Sequence, residues 1–151
     1  MKIELKKLLN NNIPQDSIKI NIEYNAYQKE EVDNFTKYIN KYSKSIFLED
    51  NYIIEEVLYS DIVCFYSENK NNYCKTTRKV YKIKSKLYEI EKLGTNFMRI
   101  SKNCIVNIEH IKNFDISRTG SIIINLDDNT FKIVSKRKIK DVIYFLDERM
   151  K

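Results

Sequence analysis

At 151 residues, with 42% hydrophobic and 32% charged content, the chain can bury one good core and is not a disordered tail. A net charge of +6 and a pI near 9.1 favour an anionic partner, nucleic acid or a membrane surface, over a basic one. No stretch approaches the roughly 20 apolar residues that span a bilayer, and MKIELKKLLNNN lacks the long apolar core of a signal peptide, so a soluble, cytoplasmic protein is expected.

After Pro14, Ile18, Ile20 and Ile22 alternate with Lys19, Asn21 and Glu23, the pattern of a strand with one buried face. Over residues 26–42 the period changes. Val32, Phe35, Ile39 and Tyr42 recur at intervals of three, four and three, which predicts an amphipathic helix. A strand plus a helix is too small to form its own core, so this apolar stripe must cap the following domain or pair with a second chain; dimerisation is the favoured expectation.

From Ser45 the chain changes character. Short β-prone runs follow one another (SIFL, NYII, IVCFY, YCKTT, KVYKIK, RISKNCIVNI, KNFDIS, SIIINL, TFKIV), separated by Asn, Asp, Ser and Gly turns, as in a many-stranded domain. Asp128-Asn129 reads as a hairpin turn made of the two non-glycine residues that best tolerate positive φ. Two short helices interrupt. Ser85 can cap KLYEIEKL, closed by Gly94, and Ser135 can cap KRKIKDVIYFLDERM, with Ile139, Val142, Ile143 and Leu146 facing inward. Cys64, Cys74 and Cys104 lie in apolar or alternating runs without a CxxC spacing and read as small hydrophobes in a reducing compartment.

Charge is segregated along the chain. Residues 46–69 hold six acids (Glu49, Asp50, Glu55, Glu56, Asp61, Glu68) and no Lys or Arg. Residues 70–86 hold Lys70, Lys75, Arg78, Lys79, Lys82, Lys84 and Lys86 and no acid, and residues 132–140 hold Lys132, Lys136, Arg137, Lys138 and Lys140. A merely soluble surface would interleave the signs, so one or two basic faces are expected. The segment VSKRKIK, residues 134–140, places its cations in the first turn of the last helix, where the helix dipole disfavours them. Positive charge beside free N–H groups at a helix start makes a phosphate site, on which Ser135, Lys136, Arg137 and Lys138 would converge. The competing reading is a basic loop, solvated or paired with the acids of residues 49–68.

Catalysis finds little support. His110 is the single histidine, which leaves no multi-histidine metal site, and Gly94 and Gly120 are the only glycines, too few for a phosphate-cradling loop. The acid pairs Glu55-Glu56 and Asp127-Asp128 are adjacent, so on a strand their side chains point to opposite faces. The expectation is a protein that is not an enzyme and carries no metal or cofactor.

FMRISKNCIVNIEHIKNF, the hairpin ending in INLDDNTFKIVSKRKIKDV, and the upstream IVCFYSENKNNYCKT resemble the three signature regions of the LytTR DNA-binding family. The resemblance spans about residues 46–150 and rests on Arg99, the Val106-Asn107 pair and Val134-Ser135 followed by Arg137. It departs at Ser101, where the family commonly has His, at Lys102 for Arg, Cys104 for an aromatic, Asp128-Asn129 for Asn-Gly, and Lys138 for an aromatic.

The resemblance implies a mainly β (α+β), elongated, multi-stranded domain over residues 46–151 with short helices, preceded by a strand-plus-helix extension over residues 1–45. It implies loops, not a recognition helix, in the major groove of double-stranded DNA. Base-reading roles then fall on Arg137, Lys102 and the loop Lys70-Asn71-Asn72, a set whose donors suit guanine and adenine edges. Arg99, Ser101, Asn103, Ser135, Lys136 and Lys138 suit phosphates. Asn71 and Asn72 read equally as turn formers, Asn107 as a structural amide, and Tyr66 and Tyr73 as packed residues. A phosphoacceptor receiver domain does not fit in 45 residues, so the chain resembles a stand-alone regulator, with paired direct repeats as target, a homodimer as its form and a membrane protein as a possible modulator. The rival is a β-rich module for RNA or single strands.

Overall fold

The computed structural model describes residue 20 and residues 22–42 and 44–150. The strand expected around Ile18 falls largely outside the described residues; Ile20 and Ile22 are exposed and belong to no strand. The chain divides into two units, Met1–Tyr38 and Ile39–Lys151. In the first, the Asn25 side chain accepts a hydrogen bond from Tyr27 N (3.1 Å) and caps a 3-10 turn, Ala26–Gln28, that leads into helix α1, Lys29–Tyr42, whose last turn belongs to the second. Val32, Phe35 and Ile39 are half-buried among exposed neighbours, the stripe their spacing predicts; the Tyr42 side chain lies outside the described residues.

Ten antiparallel strands and two short helices follow. Strands β1 (Ser45–Asp50) and β2 (Ile53–Leu58) form a hairpin. A five-stranded sheet has the order β5-β4-β3-β7-β6, built from β3 (Ile62–Glu68), β4 (Asn71–Thr76), β5 (Val80–Ile83), β6 (Phe97–Ser101) and β7 (Cys104–Asn107). A three-stranded sheet, β10-β9-β8, comprises β8 (Ile111–Ile116), β9 (Ile122–Leu126) and β10 (Phe131–Ile133). Helix α2 is Leu87–Ile90 and α3 is Ile139–Arg149.

The five-stranded sheet is the middle layer. On one face Ile62, Phe65, Cys74, Tyr81, Phe97 and Ile105 pack with Leu48 and Val57 of the first hairpin and Leu87 and Ile90 of α2. On the other, Val63, Cys64, Ile100, Cys104 and Val106 pack with Ile122, Ile124 and Leu126 of β9 and Val142 of α3. Strict alternation would send Val63 and Cys64 to opposite faces. The register of β3 shifts between Ile62 and Cys64, and this bulge lets both enter the same core. All three cysteines are buried and unpaired, and burial pushes the Cys74 thiol up to about 12.

Four local expectations change. RISKNCIVNI is not one strand: β6 and β7 fold back around Lys102-Asn103, because that polar pair cannot join an apolar run. Helix α2 is capped at Lys86 rather than Ser85; the Glu89 carboxylate accepts from Lys86 N (2.7 Å), which Ser85 cannot arrange. At the last helix Ser135 makes no side-chain cap bond and opens a 3-10 turn, Lys136–Lys138, so the α-helix starts only at Ile139. Ile143 is consequently exposed (41%), while Ile139, Val142 and Leu146, spaced three and four apart, keep the inward face.

Two polar side chains fasten the far loops. Asn107, fully buried, donates to Tyr59 O (3.0 Å) and Ile62 O (2.7 Å) and accepts from Glu109 N (3.1 Å), the structural role its position suggested. His110 sets Nδ1 2.8 Å from the Asp127 carboxylate and Nε2 2.6 Å from Ser60 O. Replacing Asn107 by Ala strands two carbonyls and one N–H, and should cost about 1–3 kcal/mol in denaturant unfolding; a loss under about 0.5 kcal/mol would show the amide to be incidental.

Charge pairing joins the layers. Lys79 Nζ lies 2.9 Å from Asp50 and 2.6 Å from Glu55, and Tyr81 OH donates to the same Glu55 oxygen at 2.7 Å. Hydrogen bonds from Lys79 and then Tyr81 hold the Glu55 carboxyl below its ordinary value. Burial pushes Asp128 upward, but hydrogen bonds from Lys75 and Thr130 outweigh it and bring the carboxyl down to about 2. Both carboxyls are depressed in the folded state. Their contribution is therefore complete above the unfolded value of about 4 and disappears as pH falls through the folded values. Lys79, held above its ordinary value by Glu55 and Asp50, stays charged throughout that window. Denaturation midpoints should be level from about pH 7 to 5 and fall below about pH 4.5, and Glu55→Gln with Asp128→Asn should flatten the acid fall; an acid limb unchanged in the double variant would remove these two groups from it.

Candidate nucleic-acid interface

Three loops meet at one end of the middle sheet. The β3–β4 tip is a two-residue turn, Asn69 (φ 49°) and Lys70 (φ 63°), both left-handed as a type I′ hairpin requires. The β6–β7 tip is Lys102-Asn103, and Ser67 N donates to Asn103 O at 2.9 Å, tying it to β3. The third is Ser135–Lys138, whose Ser135 N donates to Ile100 O at 2.9 Å, the residue at the register shift of β6. Backbone bonds, not flexible side chains, set these spacings.

A groove runs between the second and third loops, lined by Arg99, Ser101, Lys102, Ser135, Lys136, Arg137, Lys138 and Glu91. Seven of the eleven residues expected from sequence are thus brought together. Asn103 sits at the turn beside them, its N–H on Ser101 Oγ at 3.2 Å. Lys70 is exposed on the neighbouring tip. Asn71 and Asn72 are not in that loop but are the first residues of β4. Asn72 Nδ2 donates to Ser85 O (2.9 Å) and its Oδ1 accepts from Ser67 Oγ, while Asn71 Nδ2 donates to Asn69 O (3.1 Å).

The basic segments divide by partner. Of residues 70–86, Lys75 pairs with Asp128, Arg78 with Asp61 (3.9 Å), Lys79 with Asp50 and Glu55, and Lys84 with Glu49 (3.7 Å). Three of its seven cations, Arg78, Lys79 and Lys84, therefore face acids of the block preceding it. The acids do not reach VSKRKIK. Lys138 Nζ is 2.9 Å from Asp141 on its own helix, and among the described residues Lys70, Lys102, Lys136 and Arg137 form no ion pair. The helix-start phosphate site expected there is altered, since a 3-10 turn separates the cations from the α-helix.

Arg99 is differently placed. Its Nε donates to Ser101 O (2.7 Å), Nη2 to Lys102 O, and Nη1 to Glu91 (2.8 Å), with the side chain only 17% exposed. Glu91 is the residue that sequence reading missed: eight positions from Arg99 and in a separate 3-10 turn, Glu91–Leu93, it carries no local signal. Tyr66 and Tyr73 stack on one another (5.2 Å, 24°), half-buried, with Lys132 Nζ 5.2 Å over the Tyr66 ring, so both are packed. Among the described residues no group of three or more His, Cys, Asp or Glu could hold a metal, and no helix is long and apolar enough to cross a membrane.

The architecture is a β-rich α+β domain that presents basic loops instead of a helix. Residues 53–147 match the family model of the LytTr DNA-binding domain, and the chain belongs to this family. It is 37% identical over 84 residues to uncharacterized HTH-type transcriptional regulators of Staphylococcus aureus strains NCTC 8325 / PS 47 and COL, a match covering 55% of this chain and 57% of those proteins. The chain thus spans little over half the length of these curated relatives. In fold it is similar to the LytTr DNA-binding domain of a Bacillus cereus protein, with a TM-score of 0.59 and 22% identity over 67% of this chain and 92% of that one.

Asn72 should behave as a fastener. Asn72→Ala loses bonds to both Ser67 and Ser85, and should lower stability by about 1 kcal/mol while DNA binding by the remaining folded protein keeps its base preference. A base preference altered without loss of stability would instead give Asn72 a reading role.

Proposed function

We propose that this protein is a sequence-specific, double-stranded DNA-binding regulator of bacterial transcription that reads bases in the major groove with loop residues. The observation that carries the reading is the fastened rim: Lys102, Lys136 and Arg137 project from loops joined by backbone bonds and have no acidic partner among the described residues. Unpaired cations on rigid backbone suit a polyanion, because neutralising a phosphate releases condensed counterions while little side-chain order is lost elsewhere. Arg137 presents a fork that matches O6 and N7 of guanine, and Lys102 and Lys70 can donate to the same edge. Ser101, Asn103, Ser135 and Lys136 serve as phosphate contacts, with Lys138 a weaker one because Asp141 holds it. Stacking of single-stranded bases on tyrosine is disfavoured, since Tyr66 and Tyr73 cover one another.

Genomic fragments recovered on the immobilised full-length protein supply the cognate duplex, and an enriched motif is expected. On that duplex Arg137→Ala should cost about 1–3 kcal/mol, and much less on random duplex, so discrimination falls with affinity. Lys136→Ala should weaken both alike and lower the salt-dependence slope by about one unit as one phosphate contact is lost. Equal damage by the two substitutions on both duplexes would withdraw the base-reading role. Displacement by single-stranded RNA more readily than by duplex at matched salt would overturn the reading as a whole.

A further inference from the structure

We propose that Glu91 and Arg99 form a positioning pair that sets sequence discrimination: Glu91 keeps the Arg99 guanidinium on the 101–103 turn and away from DNA phosphates. The inference rests on the DNA-binding reading above and assigns to Arg99 a role other than phosphate contact. Arg99 lines the groove, yet three of its nitrogens already donate to protein acceptors. Two of these are the carbonyls of Ser101 and Lys102, the residues that enter the tip. A guanidinium is planar and its donors diverge at fixed angles, so gripping two successive carbonyls fixes the peptide planes on either side of the Lys102 Cα. The direction in which the Lys102 side chain leaves the backbone is then set by Arg99.

Glu91 supplies the third bond and a charge. It is the single acid among the eight groove-lining residues, 38% exposed beside a side chain 17% exposed. An acid at a surface offered to phosphates opposes binding, and helix stability does not require Glu91 at the end of α2. What it does is occupy Nη1, the guanidinium nitrogen that the two carbonyls leave free. Arg99 also stands next to the bond between the tips, since it flanks the register shift of β6 at which Ile100 O receives Ser135 N. A displaced Arg99 would therefore disturb the Lys102 tip and the Arg137 segment together.

The test compares full-length Arg99→Lys and Glu91→Gln with wild type on the recovered genomic fragment and on random duplex of equal length, across a salt series, with thermal midpoints measured alongside. Arg99→Lys keeps the charge but not the fork. It should leave random-duplex affinity and slope unchanged while the cognate-to-random ratio falls about tenfold, the loss of one good base contact. Glu91→Gln removes the acid and loosens Arg99, so random duplex should bind more tightly, with a slope steeper by up to about one unit, while the ratio falls. Unchanged or tighter binding to random duplex together with a fallen ratio is beyond a simple folding defect, which would weaken both. If wild type prefers the recovered fragment but the ratio survives in both variants, this proposal alone is overturned. If a third full-length variant, Arg99→Gln, measured in the same way, lowers the slope by about one unit on both duplexes with the ratio intact, Arg99 is an ordinary phosphate ligand and the proposal is overturned. A wild-type protein without any preference would overturn the proposal together with the reading it rests on.

Discussion

The fold depends on β3 being buried on both faces. Ile62, Val63, Cys64 and Phe65 are all without exposure, in the centre of the five-stranded sheet. An antiparallel sheet ordinarily leaves one face to water, so this strand demands a covering layer on each side. The first hairpin with α2 provides one, and β8–β10 with α3 the other. Because β3 runs straight out to the Asn69-Lys70 tip, and Ser67 at its outer end holds Asn103, the exposed loops inherit the rigidity of the most deeply packed strand.

The charge segregation in the chain has two structural meanings. The acidic block of the first hairpin and the basic block of β4 and β5 are cross-layer partners, with Lys79 bridging Asp50 and Glu55. That pairing consumes cations that sequence alone would assign to an anionic ligand. The later block, at residues 132–140, is spared, because β10 carries it to the opposite side of the middle sheet from the acids. What distinguishes a binding surface from an internal ion-pair layer is therefore topology.

Legibility followed the range of the forces involved. The strands and the helical stripe of Val32, Phe35 and Ile39 were readable because hydrophobic periodicity is local, and the structural role of Asn107 followed from its place at a strand end. The break inside RISKNCIVNI was not read, since β-prone residues flank the turn on both sides and no glycine marks it. The split at Asp128-Asn129 was half right: Asn129 is left-handed (φ 63°), while Asp128 instead accepts from Thr130 N at 3.0 Å and pairs with Lys75. Within the candidate site, the family resemblance brought seven groove residues into one set. Glu91 and the commitments of Arg99 and Asn72 were invisible, because each depends on partners joined only by tertiary structure.

The β3–β4 tip departs from the residues that its turn geometry favours. Type I′ turns are best served by Asn-Gly, yet the second position here is Lys70, a left-handed residue with a Cβ. Left-handed backbone costs a side-chain-bearing residue roughly 1–2 kcal/mol relative to glycine. The left-handed Lys70 at the tip of β3 therefore adds a charge there at a cost in stability that glycine would avoid. Optimisation of the chain for thermostability alone would replace Lys70 with glycine first, and would thereby erase a charge at the end of the sheet that carries the groove.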